Sequence, residues 1–149
     1  LAVVHGTPEK KEATLEGFLE KNAEQNRVYL KTKKTDSALT IKTRYRVIES
    51  RNGLSLLDIA LLTGRTHQIR AHMAGIGHPL LGDAKYGDRS FNEAYRKKGV
   101  KSQLLHAQRM VFPMLRELPE EEAKKAKDLA FLGKTIEAPL PEVFHRVGF

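Results

Sequence analysis

The chain has 149 residues, 40% hydrophobic and 30% charged, with a formal net charge of +8 and no cysteine. That length fits one domain able to bury roughly 70% of its unfolded surface, and the missing thiols exclude disulfides and thiolate metal sites. No apolar run approaches the roughly 18 residues of a membrane span and the opening residues lack a signal-peptide pattern, so the expected location is cytoplasmic, with the basic balance favouring a polyanionic partner, nucleic acid above all.

Leu1 to Val4 has strand composition and stops at the turn signal His5-Gly6-Thr7-Pro8. A strand that begins abruptly at the first residue suggests a chain cut from a longer one. Residues 9 to 26 are polar, with a weak helical or irregular reading around Leu15, Phe18 and Leu19, and Val28 to Leu30 reads as a short strand. From Thr40 to Ile48 the alternation is clear. Ile41, Thr43, Tyr45 and Val47 face one way, and Lys42, Arg44 and Arg46 the other, which predicts a half-buried strand with a basic outer face. Asn52-Gly53 is a hairpin signal, and Leu54 to Leu62 returns as a second, more apolar strand.

Thr63-Gly64 breaks that strand, and Thr66 is placed to cap a helix over Thr66 to Ala74. Ile69 and Met73, four apart, form its buried stripe, and Gly75 and Gly77 supply the exit. His78 to Asp88 reads as a loop, residues 90 to 97 as a polar helix, and Gln103 to Phe112 as another strand. Leu118 to Ala130 has Pro119 at a helix start, then three glutamates, then Lys124, Lys125 and Lys127. That order suits the helix dipole and i,i+4 pairing, and describes a solvated surface helix. Thr135 to Ala138 is a last strand, followed by a terminal segment. The fold class is α+β, with a mixed, largely antiparallel sheet and short helices, and without repeats or linkers.

The chemistry concentrates between residues 61 and 88. Arg65, His67, Gln68, Arg70 and His72 crowd five polar side chains into eight residues beside an apolar strand. Near a core each needs a partner or water, so the segment reads as the wall of a site. A metal site would draw on His67, His72 and His78 with Asp83 or Asp88. However, His67 and His72 lie roughly 140° apart around a helix and do not converge. No serine sits on a glycine-flanked elbow, and no Walker or dinucleotide glycine pattern occurs. Arg70 lies about 100° round from Ile69, at the edge of the apolar stripe, where burial without an anion is costly. Its planar fork suits a carboxylate or phosphate, and an internal salt bridge would satisfy it as well. Arg65, at the strand-to-helix turn, is expected to be exposed. His67 and Gln68 could read a base edge or sugar, although local capping explains them equally well.

The run from Thr63 to Met73, Thr-Gly-Arg-Thr-His-Gln-Ile-Arg-Ala-His-Met, closely resembles the RluA-type pseudouridine synthases. So does its sequel, Gly77-His78-Pro79-Leu80-Leu81-Gly82-Asp83 with Tyr86-Gly87. Leu105-His106-Ala107, Phe112-Pro113, Glu137 to Pro141 and the opening Leu1 to Gly6 match in the same order. The resemblance implies isomerisation of uridine to pseudouridine in structured RNA (rRNA or tRNA), with no cofactor and no metal. In that family the uracil is cut from its ribose, rotated and rejoined through carbon, after the nucleotide has left its stack. An aspartate in a His-Arg-Leu-Asp motif acts on the ribose, and a tyrosine stacks on the flipped base.

Carried over, Arg70 is the catalytic arginine that pairs with that aspartate, and Ile69 and Leu105 line the uracil pocket. Arg65, Lys85 and Arg89, with His67 and Gln68, would hold the RNA. This chain contains no His-Arg-Leu-Asp, none of its aspartates matches the motif, and the tyrosine would fall just before Leu1. The expectation is therefore that residues 1–149 form the C-terminal part of a single catalytic domain and are inactive alone. Residues 115 to 133 also depart from the family pattern. The alternatives are a non-catalytic RNA-binding module with the same fold and, from another class, a histidine-based metal nuclease. Exposed strand edges of a cut domain would favour self-association.

Overall fold

In the computed structural model, which describes residues 1–22, 24–25 and 27–149, the elements in chain order are β1 (Ala2–His5), β2 (Glu12–Asn22), β3 (Arg27–Lys31), β4 (Leu39–Arg51), β5 (Leu54–Leu61), α1 (Gln68–Gly75), α2 (Arg89–Arg96), β6 (Arg109–Val111), α3 (Glu120–Ala126), β7 (Thr135–Glu137) and α4 (Glu142–Val147). The chain divides into two units, residues 1–105 with 141–149, and residues 106–140.

The first unit is built on a five-stranded antiparallel sheet in the order β1-β5-β4-β2-β3. The β4–β5 hairpin turns on Asn52 and Gly53, both at positive φ (52° and 73°), as a two-residue turn matched to strand twist requires. Along β4 the predicted inner face is realised: Ile41, Thr43 and Tyr45 are buried. The register slips between Val47 and Glu49, and that bulge leaves Ile48 half exposed. Lys42, Arg44 and Arg46 lie on the other face as expected, but each meets a carboxylate there: Glu16, Glu12 and Asp58.

Within residues 9 to 26, of which 23 and 26 lie outside the described residues, the structure differs from expectation. Glu12–Asn22 is an eleven-residue strand, paired with β4 on one side and β3 on the other. Its Glu and Lys content disfavours strand locally, and the sheet overrides that preference because Ala13, Leu15 and Leu19 find buried apolar neighbours.

Helix α1 covers the inner face of the sheet. Met73 packs with Ala2, Val4, Tyr45, Leu57 and Leu80, with Ile69 at the margin of that cluster. Ala71 joins Leu19, Val28 and Ile41. The helix begins two residues later than predicted. Thr66 does not cap it. His67 occupies the cap position in a left-handed conformation (φ 55°) with no side-chain cap bond. Helix α2 does have a side-chain cap, since Asp88 accepts from the Phe91 N–H at 2.7 Å.

The outer side of strand β1 is covered. The Pro79 carbonyl accepts from the His5 N–H, the Leu81 N–H donates to the Val3 carbonyl, and the Val3 N–H donates to the Leu104 carbonyl. Isolated bridges Val4–Leu80 and Ala2–Leu105 complete the cover.

In the second unit β6 pairs antiparallel with β7. The predicted strand Gln103 to Phe112 is therefore split, with Leu105 bridged to β1 and only Arg109–Val111 in a ladder. Phe112 and Phe131 meet in a tilted pair with centroids 4.5 Å apart. On α3, Lys124 meets Glu120 at 2.9 Å, the expected i,i+4 pair. Among the described residues no helix is long and apolar enough to cross a membrane.

Candidate functional site

Gln68 determines where α1 starts. Its side-chain amide donates to the Lys42 carbonyl at 2.9 Å and to the Thr43 hydroxyl at 3.0 Å. Its carbonyl oxygen accepts from the Thr63 hydroxyl at 2.8 Å and from the Arg65 N–H at 3.1 Å. All four bonding positions are used, and the residue is 2% exposed. One buried amide thus ties the helix to β4 and to the turn after β5. His72, one turn on, lies 2.8 Å from the same Thr43 hydroxyl through Nδ1. Its Nε2 is buried without a partner among the described residues and faces Gly17, where a Cβ would come within 3.3 Å. Burial lowers its pKa to about 4, so the ring is neutral near pH 7.

With α1 anchored, Arg70 projects towards the loop that follows it. Its Nε donates to Asp83 Oδ2 at 2.7 Å and its Nη2 to Oδ1 at 2.8 Å. This is a two-point fork in which the carboxylate is fully buried and the guanidinium side chain 14% exposed. Oδ1 also accepts from the N–H groups of Lys85 and Tyr86, at 2.8 and 2.9 Å. Burial alone would raise the Asp83 carboxyl, but the Arg70 bonds and the two N–H groups together hold it below its ordinary range. The Asp83 hydrogen bond in turn raises the Arg70 guanidinium against the opposing effect of burial. The anion expected from outside the chain is therefore, in this structure, an internal aspartate. The loop itself is pinned, because Asn92 accepts from the Gly82 N–H at 2.7 Å and donates to the Asp83 carbonyl at 3.1 Å.

Arg70 lines an open cleft of about 630 Å³ together with Arg27, Lys85, Lys101, Ser102 and Gln103. No carboxylate is among the described residues that line it. Tyr86 holds two of the lining arginines. The Tyr86 hydroxyl accepts from the Val28 N–H at 3.0 Å and lies 3.1 Å from His67 Nδ1. Its ring carries two guanidiniums, with Arg27 Cζ 4.8 Å and Arg70 Cζ 5.2 Å from the centroid. Burial, with Arg70 and Lys85 nearby, lowers the His67 imidazole below its ordinary value.

The residues predicted for the site are thus only partly brought together. Arg70 and Lys85 line the cleft, and His67 stands behind it on Tyr86. Gln68 is corrected: a buried amide with four internal bonds has nothing left to offer an RNA. Arg65 is exposed at the turn and Arg89 is exposed at the start of α2, both outside the cleft lining. Ile69 packs at the core margin and Leu105 is 37% exposed beside Ala2. Neither lines the cleft. Arg27 and Lys101 carry no signal in the sequence, since each is an isolated residue without periodicity, and Tyr86 stands in the family motif without any mark of its part in the site. Asp83 follows a Gly-rich loop but lies thirteen residues from Arg70, a spacing that no local rule connects. Among the described residues no group of three His, Cys, Asp or Glu could hold a metal ion.

A profile of the family described as RNA pseudouridylate synthase matches residues 1–75, half of the chain and the whole segment from β1 to the end of α1. The chain belongs to that family. It is 40% identical over 107 residues to the ribosomal large subunit pseudouridine synthase D of Haemophilus influenzae, covering 64% of this chain and 32% of that protein. It is 35% identical over 133 residues to the uncharacterized RNA pseudouridine synthase YlyB of Bacillus subtilis, covering 88% of this chain and 41% of that one. The human RNA pseudouridylate synthase domain containing 4 structure superposes with a TM-score of 0.66 over 98% of this chain and 60% of that one, at 20% identity, a likeness of fold. The chain spans well under half the length of these two curated relatives.

Proposed function

We propose that this chain is part of a synthase that isomerises uridine to pseudouridine in structured RNA, ribosomal RNA in particular, in the cytoplasm. The observation that carries the proposal is Arg70. A guanidinium anchored through α1 stands at the wall of a cleft whose described lining is cationic and free of carboxylates. The relatives whose names specify large-subunit RNA support the choice of substrate. With no His-Arg-Leu-Asp in residues 1–149, the proposal assigns the attacking carboxylate to polypeptide outside them and the isolated piece is inactive. Arg70 meets that carboxylate with donors not committed to Asp83, or by exchanging partners. Lys85 holds a phosphate in the cleft, and Arg65 and Arg89 hold phosphates beyond it.

Isomerisation moves the ribose bond from a ring nitrogen to a ring carbon, and the hydrogen on that carbon leaves. Ribosomal RNA tritiated at that carbon, incubated with the full-length protein containing this chain, therefore releases tritium to water. Arg70→Gln abolishes the release. Undiminished turnover in that variant removes Arg70 from the reaction.

The existing Arg70–Asp83 pair favours a second reading, an RNA-binding module without chemistry, because a two-point fork onto a buried carboxylate is also a structural tie. That reading predicts RNA binding by the full-length protein with no tritium release at all.

A further inference from the structure

The two arginines on Tyr86 are not equivalent. Arg70 is neutralised by Asp83. Arg27, at the start of β3 where it pairs across the hairpin with Asn22, has no carboxylate partner among the described residues. Its Nε is buried and finds no hydrogen-bond acceptor there. The guanidinium lies over two phenol rings, 4.8 Å from the Tyr86 centroid and 5.7 Å from that of Tyr29, and Arg27 lines the cleft. A positive charge with a buried donor lacking an acceptor is an unfinished arrangement, since buried polar groups ordinarily find partners. Stacking on Tyr86 leaves the edge of a guanidinium, where its N–H groups lie, open to an anion.

The other residues at hand suit that anion. Lys101, Ser102 and Gln103 line the same cleft, offering a charge, a hydroxyl and an amide, and no described lining residue bears a negative charge. We propose that Arg27, with Lys101, forms a phosphate-binding subsite that holds one backbone phosphodiester of the RNA strand beside the nucleotide presented to Arg70. This rests on the proposed RNA substrate and adds a register. The ring of Tyr86 sets the spacing between the guanidinium for the backbone and the guanidinium for the reacting site. Arg27 thereby selects which nucleotide along the strand stops at Arg70.

The test uses the full-length protein and a uridine-bearing RNA stem-loop. Arg27→Gln lowers the slope of log affinity against log salt by about 0.7 to 0.9, the share of a single phosphate, and Arg27→Lys keeps it. Replacing single linkages by neutral methylphosphonates identifies one linkage whose change weakens the wild-type protein but not Arg27→Gln. In the wild-type protein the Nε–H resonance of Arg27 moves on binding the natural stem-loop and stays put with that neutral linkage, a readout needing no variant to fold. An unchanged slope in Arg27→Gln, or linkage effects equal in both proteins, overturns the subsite. Inorganic phosphate at matched ionic strength leaves the wild-type affinity unchanged. Competition by phosphate that disappears in Arg27→Gln assigns the pocket to a free ligand and overturns it too. Tritium release with no slope change discards the subsite and keeps the synthase. A reduced slope without any tritium release keeps the subsite and discards the chemistry.

Discussion

At the scale of single residues, Arg70 is both a site residue and a structural one. Removing it leaves a fully buried carboxylate, Asp83, without its ion partner. Arg70→Ala is therefore expected to cost about 3–5 kcal/mol of folding stability. Urea unfolding of Arg70→Met, Asp83→Leu and the double variant checks it. The double change recovers most of the loss, and additive losses would contradict the coupling.

His72 gives a pH signature. Its pKa is about 4 in the fold against an ordinary 6.5, so below pH 6.5 the unfolded chain takes up a proton that the folded chain refuses. Stability then falls as pH drops from about 6.5 to about 4, by about 3 kcal/mol in all. Asp83, whose pKa is lowered, acts in a different window, because its contribution is present above the ordinary carboxylate pKa and is lost as pH falls below it. Comparing unfolding at pH 7 and pH 5 in wild type and His72→Asn isolates the histidine. An equal pH dependence in both would refute its role.

At the scale of elements, the β4–β5 hairpin and α1 were legible because their signals are local. Alternation along β4, the Asn-Gly turn and the Ile69–Met73 spacing each act within a few residues. Strand β2 was not legible, because its pairing with both β3 and β4 outweighs its own composition. The start of α1 was displaced for a similar reason: Gln68 serves the sheet instead of letting Thr66 cap the helix. Gln68→Ala should leave the Lys42 carbonyl and the Thr43 hydroxyl short of a donor and cost about 1–3 kcal/mol, measurable as a lowered urea midpoint. Gly82→Ala is expected to be comparable or worse. Gly82 has φ 81°, and a Cβ there would overlap the Ser102 carbonyl oxygen.

At the scale of the whole molecule, the net charge of +8 is not spread evenly in effect. The cations of β4 face Glu12, Glu16 and Asp58 across the outer sheet face, whereas no carboxylate is among the described residues lining the cleft. Replacing Lys42, Arg44 and Arg46 together by Gln should therefore change the salt dependence of RNA binding little. Replacing Lys85 and Lys101 should lower the slope by roughly 0.7 to 0.9 for each phosphate no longer held. Equal effects would mean that overall charge, rather than the cleft, governs binding.

What the residues determined by themselves was the α+β class, the hairpin, the helix with its polar cluster and the family motif around Arg70. All of these depend on neighbours within about one turn or one strand. Only the tertiary structure decided that Gln68 is a buried tie, that Asp83 closes on Arg70, and that Arg27 comes to the same tyrosine ring. Those pairings join residues distant in the chain, and their partners are chosen by how α1 and the following loop settle on the sheet.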